Sequence, residues 1–555
     1  MTLRIGNASG FYGDRATAWR EMLDGGELDV LTGDYLAELT MLILGRDRLK
    51  DPATGYAKTF LRQLESVIGT ARERGVRLVT NAGGLNPAGL ADAVRALAAR
   101  LGLDVAVAHV EGDGVRALVP GLTANAYLGA FGIAECLNAG ADIVVTGRVT
   151  DASLVVGPGI ARFGWTRDDL DALAGATVAG HVLECGAQAT GGNYAFFTEL
   201  PDRARRPGFP LAELHADGSA VITKHPGTGG AVTVETVTAQ LLYEIGAPAY
   251  AGPDVVADFA SIRLAADGPD RVRVSGVRGA PPPPALKVGV NSLGGLRNAM
   301  TFVLCGLDIE SKAELVRAQL TDALGPDGLE FVLARTDRPD ADSEAAASAL
   351  LTVSIRDSDP KRAGRTFSQA AVELALASYP GLALTAPPGD ATPFGVFTGH
   401  FLPQEAVAHV AVLPDGTRRT IQPPATTEPL AIAVTSPGSQ QPPPPGVAVP
   451  LGTVFGARSG DKGGDANIGV WARAEPAYAW LREHLTADRL RELLPEARPL
   501  PIERYELPNL LAVNFVVRGI LGEGVAASTR FDPQGKALGE WLRSRVVELP
   551  PELLP

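Results

Sequence analysis

Five short stretches of this 555-residue chain gather acids, bases, amides and glycines in the way that catalytic and anion-binding loops do. The richest in functional groups is His181 to Asn193, HVLECGAQATGGN. It offers an imidazole (His181), a carboxylate (Glu184), a thiol (Cys185), two side-chain amides and the turn Gly191-Gly192-Asn193. If 181–185 is helical, His181 and Cys185 lie one turn apart on one face, a spacing that lets an imidazole activate a thiolate. Against that stands the usual fate of a buried cysteine, which is inert packing. Glu184 is an equally good general acid or base.

The other four stretches, with one glycine turn, complete the candidate list. In GNASGFYGDR, residues Asn7, Ser9, Gly10, Asp14 and Arg15 follow the first strand-like run and open a helix, where amides and the helix end receive phosphate or carboxylate. The GK[ST] ending of a phosphate loop and the GxGxxG dinucleotide pattern are both missing, and a plain strand-to-helix turn is the alternative. In TGRVTD, Arg148 and Asp151 can hold an anion and orient a polar group, or simply close a loop on one another. In TKHPGTGG, Lys224 beside Gly229 and Gly230 suits a phosphate, an enolate or a carboxylate, with an exposed turn as the alternative. RSGDKGG carries Ser459, Asp461 and Lys462 and either reaches into a cleft or makes a charged hairpin. The turn NAGGLNP adds Asn81, Gly83 and Gly84.

These loops need a scaffold. Runs such as VRLVT at 76–80, LDVAVAHV at 103–110 and DIVVT at 142–146 alternate with helical stretches near 15–23 and 92–102, which predicts parallel strands joined by crossover helices. In such sheets the binding crevice forms outside the carboxyl ends of the strands. The loops at 9–14, 81–86 and 148–151 are therefore expected to line one cleft. The texture from about 219 to 278 (SAVITKH, GAVTVETVTAQLLYEI, DRVRVSGVRG) reads as β-rich, and GVNSLGGLRNA after Lys287 reads as a turn. Residues 436–450, with four consecutive prolines, read as an extended exposed linker. Beyond it, strands at 450–457, 467–472, 510–518 and 525–531 with helices at 478–494 and 536–547 suit a small ferredoxin-like unit. The fold class expected is α/β: a large N-terminal domain (1–435) with a mainly parallel sheet and a β-rich insertion, then a C-terminal α+β domain (451–555).

Composition bounds the function. A net charge of −13 disfavours a nucleic-acid or anionic-membrane surface and leaves a small-molecule substrate as the expected partner, with a homo-oligomer as the expected assembly. No apolar run reaches the ~20 residues a membrane span needs, and the first residues lead directly into a strand. Three cysteines without a CxxC pair fit a reduced cytoplasm. Seven scattered histidines offer no zinc spacing. Magnesium held by Asp14, Asp151 or Asp461 has no diagnostic spacing behind it, so no metal is expected.

Taken in order, IGNASGFYGDR, TNAGGLNP, TGRVTDAS, HVLECGAQATGGN, TKHPGTGG with QLLYEI and PDVVAD, SLGGLRNA and ARSGDKGGDANIG resemble the acyclic terpene utilisation family. The resemblance implies a large N-terminal domain, a ferredoxin-like C-terminal domain, and work alongside enzymes that degrade branched acids as coenzyme A thioesters. The expected activity is that of a lyase, hydratase or hydrolase needing no redox cofactor and acting on a branched acyl-CoA or a related carboxylic acid, with coenzyme A part of the substrate in the first case. A non-catalytic acyl-CoA-binding or scaffolding subunit is the alternative. Hydration and cleavage of an acyl thioester need a carboxylate rather than a covalent thiol, which ranks Glu184 above Cys185.

Overall fold

The computed structural model describes residues 2–430 and 445–555. Five strands run parallel side by side: β1 (Thr2–Asn7), β2 (Val30–Gly33), β3 (Arg77–Thr80) and β4 (Val107–Glu111), with β6 (Ile143–Thr146) inserted between β3 and β4. β5 (Thr123–Ala126) leaves this sheet and pairs with residues 288–291 of a long strand, Ala285–Cys305. Along β6 the side chains alternate between two cores. Ile143 and Val145 join one with Leu31 and Leu78, while Val144 joins the other with Ile5 and Val79. Both faces are buried, which is why these strands read as short unbroken apolar runs.

The sheet is mixed rather than parallel throughout. β7 (Pro210–His215) runs antiparallel to β1, β8 (Ala220–Lys224) pairs antiparallel with β7, and Val272–Ser275 and Arg263–Ala266 extend that edge. Val410–Val412 and Arg418–Thr420 close the other edge, giving eleven strands. The expectation of a β-rich 219–278 holds for these strands but fails at Val234–Leu241, a helix. Thr233 caps it in a reciprocal box with Thr236, and Val237 and Leu241 enter the core, so capping and burial override the β-branched composition. Likewise GVNSLGGLRNA is not a turn; it lies within the continuous strand Ala285–Cys305.

The described chain forms two compact units. The first comprises Met1–Asn291, Phe397–Val525 and Asp532–Pro555; the second comprises Ser292–Val396 and Ala526–Phe531. The second unit has its own core, in which Phe302, Leu351 and Val353 pack against Val316 and Leu320 of the helix Ile309–Leu324.

Within the first unit, the C-terminal segment builds a four-stranded antiparallel sheet in the order Gly456–Lys462, Asp465–Trp471, Ala512–Val517, Ile502–Leu507. Helices Glu475–His484, Ala487–Leu493 and Leu538–Ser544 contribute to its core. Several expected boundaries move. The strand expected at 450–457 is replaced by Val447–Pro450, paired with Val546–Leu549, and a 3-10 turn. The single helix expected at 478–494 is two, the second capped by Thr486. No strand forms at 525–531, and Ile502–Leu507 is a strand instead. That strand was masked by its charges: Arg504 is 1% exposed and donates to the carbonyls of Leu485 and Arg482. Of the expected linker, residues 436–444 lie outside the described residues. Among the described residues, no helix is long and apolar enough to cross a membrane.

Candidate functional site

Because β1, β2, β3 and β6 are parallel, the loops that follow them emerge at one edge of the sheet. Outside that edge lies a cavity of about 1090 Å³, at the upper end of the size that small-molecule sites have. Gly10, Phe11 and Asp14 come from the loop after β1, Asp34, Leu36, Ala37, Glu38 and Leu39 from the loop after β2 and the start of the helix Glu38–Lys50, and Arg148, Thr150 and Asp151 from the loop after β6. The helix Leu170–Glu184 delivers Glu184 and Cys185 at its C-terminal end. The remaining wall comes from the 243–253 segment, from Lys287, and from Asp461, Lys462 and Lys536 of the ferredoxin-like sheet and its following loop.

Two asparagines of the ferredoxin-like sheet hold the 242–246 segment in place. The Asn467 amide donates to the Leu242 carbonyl at 2.7 Å and its oxygen accepts from the Glu244 amide at 2.9 Å, while Asn514 donates to the Gly246 carbonyl at 2.7 Å. Glu244 is thereby kept at φ 54°, a left-handed conformation costing a side-chain-bearing residue ~1 kcal/mol or more. Its carboxyl faces the cavity.

The carboxyls of this cavity do not share one protonation state. Burial, then the charges of Asp151 and Glu244, pushes Glu184 well above its ordinary value. Burial and Asp151 do the same to Asp34. Asp461 rises to about 8, again by burial first and by Glu244 and Glu38 after it. Glu38 goes the other way: burial alone would raise it, but Lys287 and Arg148 bring it below the ordinary range. Lys287 is 43% open to solvent at its side chain although protein surrounds it, because it stands in the cavity itself. Arg148 is 4% exposed; it donates to the Leu36 carbonyl and to Asp151, both at 2.8 Å, and its guanidinium lies 4.3 Å from the Tyr127 ring centre.

His181 does not approach Cys185 as a base. Its Nδ1 stands 2.9 Å from Glu184 Oε1, off the angle of a good hydrogen bond, and its ring packs on Tyr250 and Phe259. Burial, and then the positive charge of Lys462, holds its pKa at about 4, so it is neutral at physiological pH. The Cys185 thiol is pushed well above its ordinary value by burial and by Glu184, which disfavours the thiolate. The helix ends at Glu184, so Cys185 already sits in the cap. Glu184 Oε2 has no hydrogen-bond partner among the described residues although its side chain is 10% exposed.

Several expected ligand residues serve the scaffold instead. Asn7 donates to the carbonyls of Leu183 and Glu184, tying the end of β1 to the helix that carries the carboxyl. Ser9 is fully buried and donates to the Phe11 carbonyl. Arg15 donates to the Pro207 carbonyl and pairs with Glu21. The expected lining by 81–86 fails: Asn81 holds Asp34 Oδ1 at 2.5 Å and the Tyr35 amide at 2.8 Å, one layer behind the cavity. Gly83 is required by close packing, since a Cβ there would stand 2.4 Å from the Thr146 carbonyl, and Gly84 packs against Leu44. Lys224 is locked to Asp270 at 3.0 Å and to the Thr228 carbonyl at 2.7 Å, away from the cavity, as are Gly229 and Gly230, which abut the backbone of Arg206 and Thr190. Gly191 packs on Leu200, whereas Gly192 and Asn193 line the wall. Ser459 is buried and bonds the Lys536 carbonyl and the Gly539 amide. Asp461 and Lys462 do reach the cavity.

Sequence reasoning missed Asp34, Glu38, Glu244 and Lys287. The first two follow the run DVLTG, and the rule that directs attention to polar residues after a β-branched run would have found them once that run was read as a strand. Glu244 and Lys287 carry no comparable signal. The cavity can bind an anion beside Lys287 and Lys462 and exchange protons through carboxyls of opposed state. Among the described residues no three His, Cys, Asp or Glu side chains are grouped to hold a metal.

No curated protein matches the chain. A family model described as acyclic terpene utilisation family protein AtuA matches residues 3–122 and 116–413, and a model of the AtuA ferredoxin-like domain matches residues 449–548. With most of its length matched in this order, the chain belongs to the acyclic terpene utilisation family.

Proposed function

We propose that the protein is a catabolic enzyme acting on a branched acyl-CoA or related carboxylic acid by lyase or hydratase chemistry. One observation carries this reading: a single cavity holds a carboxyl brought below its ordinary range, Glu38, together with carboxyls raised by burial, Glu184 and Asp461, the Lys287 cation and the Lys462 amine. Environments that split the protonation of neighbouring carboxyls assign one as base and another as acid. In dehydration of a β-hydroxyacyl group, the base takes the proton α to the carbonyl and the Lys287 ammonium faces the enolate charge. The acid returns a proton to the departing hydroxyl, which leaves as water. Apolar surface from Leu36, Leu39, Tyr250 and Leu286 suits a branched hydrocarbon chain.

Exposure of Phe11 and Phe401 at this cavity (56% and 72%) also favours a second reading, a non-catalytic acyl-CoA-binding or scaffolding subunit whose mouth meets another protein. Thermal-shift screening of the full chain against acyl-CoAs and free branched acids separates the readings. A ligand of the folded state raises the melting temperature by mass action. The enzyme reading requires that a stabilising thioester or acid is also turned over. Stabilisation without turnover supports the subunit, and no stabilisation by either class sinks both.

A further inference from the structure

Two amines in the cavity, those of Lys462 and Lys536, are unlike the other cations. Arg148 is held by Asp151 and the Leu36 carbonyl, and Lys287 stands 3.8 Å from a Glu38 carboxylate oxygen with its ammonium 4.7 Å from the Tyr127 ring centre. The Lys536 amine, 5.9 Å from the centre of the Tyr243 ring, and the Lys462 amine, 5.9 Å from the centre of the Tyr250 ring, have no hydrogen bond or ion pair among the described residues; of the two, Lys462 is the one carried on a strand. It is presented by a rigid device: the strand Gly456–Lys462 turns tightly into Asp465–Trp471, with Lys462 paired to Asp465 and Gly460 to Asn467. Asp461, the preceding residue, also faces the cavity.

We propose that Lys462 is an imine-forming lysine whose amine condenses with a ketone or aldehyde carbonyl of a substrate held in this cavity. The proposal rests on reading the cavity as a catalytic site and narrows its substrates to carbonyl compounds with a cleavable bond adjacent to the imine carbon. An amine that no carboxylate hydrogen-bonds keeps its lone pair available for attack, although the charges of Glu244, Glu184 and Glu38 act to retain its proton. Burial, and then the charge of Lys287, holds the Lys462 ammonium below its ordinary range, in keeping with that geometry.

The atoms balance without a redox partner. The Nζ lone pair adds to the carbonyl carbon, the nitrogen gives up a proton, and the carbonyl oxygen takes one from Asp461. Asp461 receives the proton given up by nitrogen and passes it to the resulting hydroxyl, which leaves as water as the C=N bond forms. The protonated imine then accepts the electron pair of the neighbouring C–H or C–C bond, giving an enamine. A proton, carbon dioxide or an aldehyde departs, the enamine carbon takes up a proton to restore the protonated imine, and water hydrolyses that imine to the carbonyl product and the free amine.

Borohydride trapping tests this with the full chain. The protein is incubated with acetoacetate or, separately, acetaldehyde, reduced with sodium borohydride, and mapped by peptide mass spectrometry. The reduced adduct is expected at Lys462, and Lys462→Arg, which keeps the charge but not the nucleophile, is expected to lose it by about tenfold or more. Melting curves of wild type and variant confirm that both are folded. Adducts spread over surface lysines, concentrated on Lys287 or Lys536, undiminished in the variant, or absent with both probes overturn the proposal. Trapping reads the amine without any turnover. A positive trap combined with failure of every acyl-CoA in the screen therefore retains Lys462 and moves the substrate to free keto acids; a negative trap with acyl-CoA turnover retains the acid–base reading alone.

Discussion

Glu184 and Cys185 are adjacent in the chain and meet opposite chemical fates. Both are pushed toward their neutral forms by burial, but a neutral carboxyl is a competent acid whereas a neutral thiol is a poor nucleophile. Glu184→Gln keeps the shape and removes the ionisable proton, so turnover of the substrate found by the screen is expected to fall by about a hundredfold with the melting temperature retained. Cys185→Ala is expected to leave turnover within a few-fold. Steady-state kinetics on both variants checks the assignment, and the reverse ranking would move the chemistry to the thiol. Asp461 gives a stability signature as well. Its folded-state pKa of about 8 lies above the ordinary 3.8, so on raising the pH the unfolded chain loses this proton first. Its contribution to stability is whole below pH 3.8 and is lost as pH rises toward about 8. Melting curves across that window should show Asp461→Asn declining less with pH than wild type; parallel declines would mean that the carboxyl is ionised throughout.

Elements decide how these side chains meet. The loop after β1 contributes Gly10 because its Cα passes directly over the end of the helix Leu170–Glu184. A Cβ at Gly10 would stand 2.7 Å from the Cys185 carbonyl carbon, a backbone atom that cannot step aside. Gly10→Ala should therefore cost about 1–3 kcal/mol, read by urea denaturation, and weaken ligand stabilisation through displacement of Glu184. A second element-scale test lies in the ferredoxin-like sheet. Asn467 is fully buried and serves both the Leu242 carbonyl and the Glu244 amide. Asn467→Ala leaves both unpaired, at a cost of about 1–3 kcal/mol, and frees Glu244 from its left-handed conformation. Loss of ligand stabilisation beyond the loss of stability is the expected result; unchanged binding would mean that Glu244 is positioned by other contacts.

On the scale of the molecule, the ferredoxin-like segment shares a core with the large sheet's helices. Trp471, Leu507, Leu510 and Ala512 belong to the same buried cluster as Tyr194, Phe196 and Phe259. Arg458 crosses as well, donating to Gln188 and standing 4.4 Å from the Tyr243 ring centre. A protease site introduced among residues 436–444 should accordingly give two fragments that co-elute on gel filtration in native buffer and separate only in denaturant. Separation in native buffer would show that the shared core contributes little to association.

Short apolar, β-branched runs alternating with helical stretches, with polar loops directly after the runs, were enough to predict parallel strands and to direct attention to Asp14, Arg148 and Asp151, because local pattern and backbone direction are both short-range properties. The dense polar turn RSGDKGG likewise identified Asp461 and Lys462 from composition alone. Other features were beyond local reading. Nothing near Lys224 in sequence reveals that Asp270, forty-six residues later, neutralises it. Nothing near Glu244 or Lys287 foretells that they face a cavity walled by residues two hundred positions distant. Val234–Leu241 reads as strand and folds as helix because its core partners lie elsewhere in the chain. Residue types and strand direction are written locally; which charges are paired, which carboxyls stay protonated and which amine stands free depend on burial and on distant neighbours, and those exist only once the tertiary structure has formed.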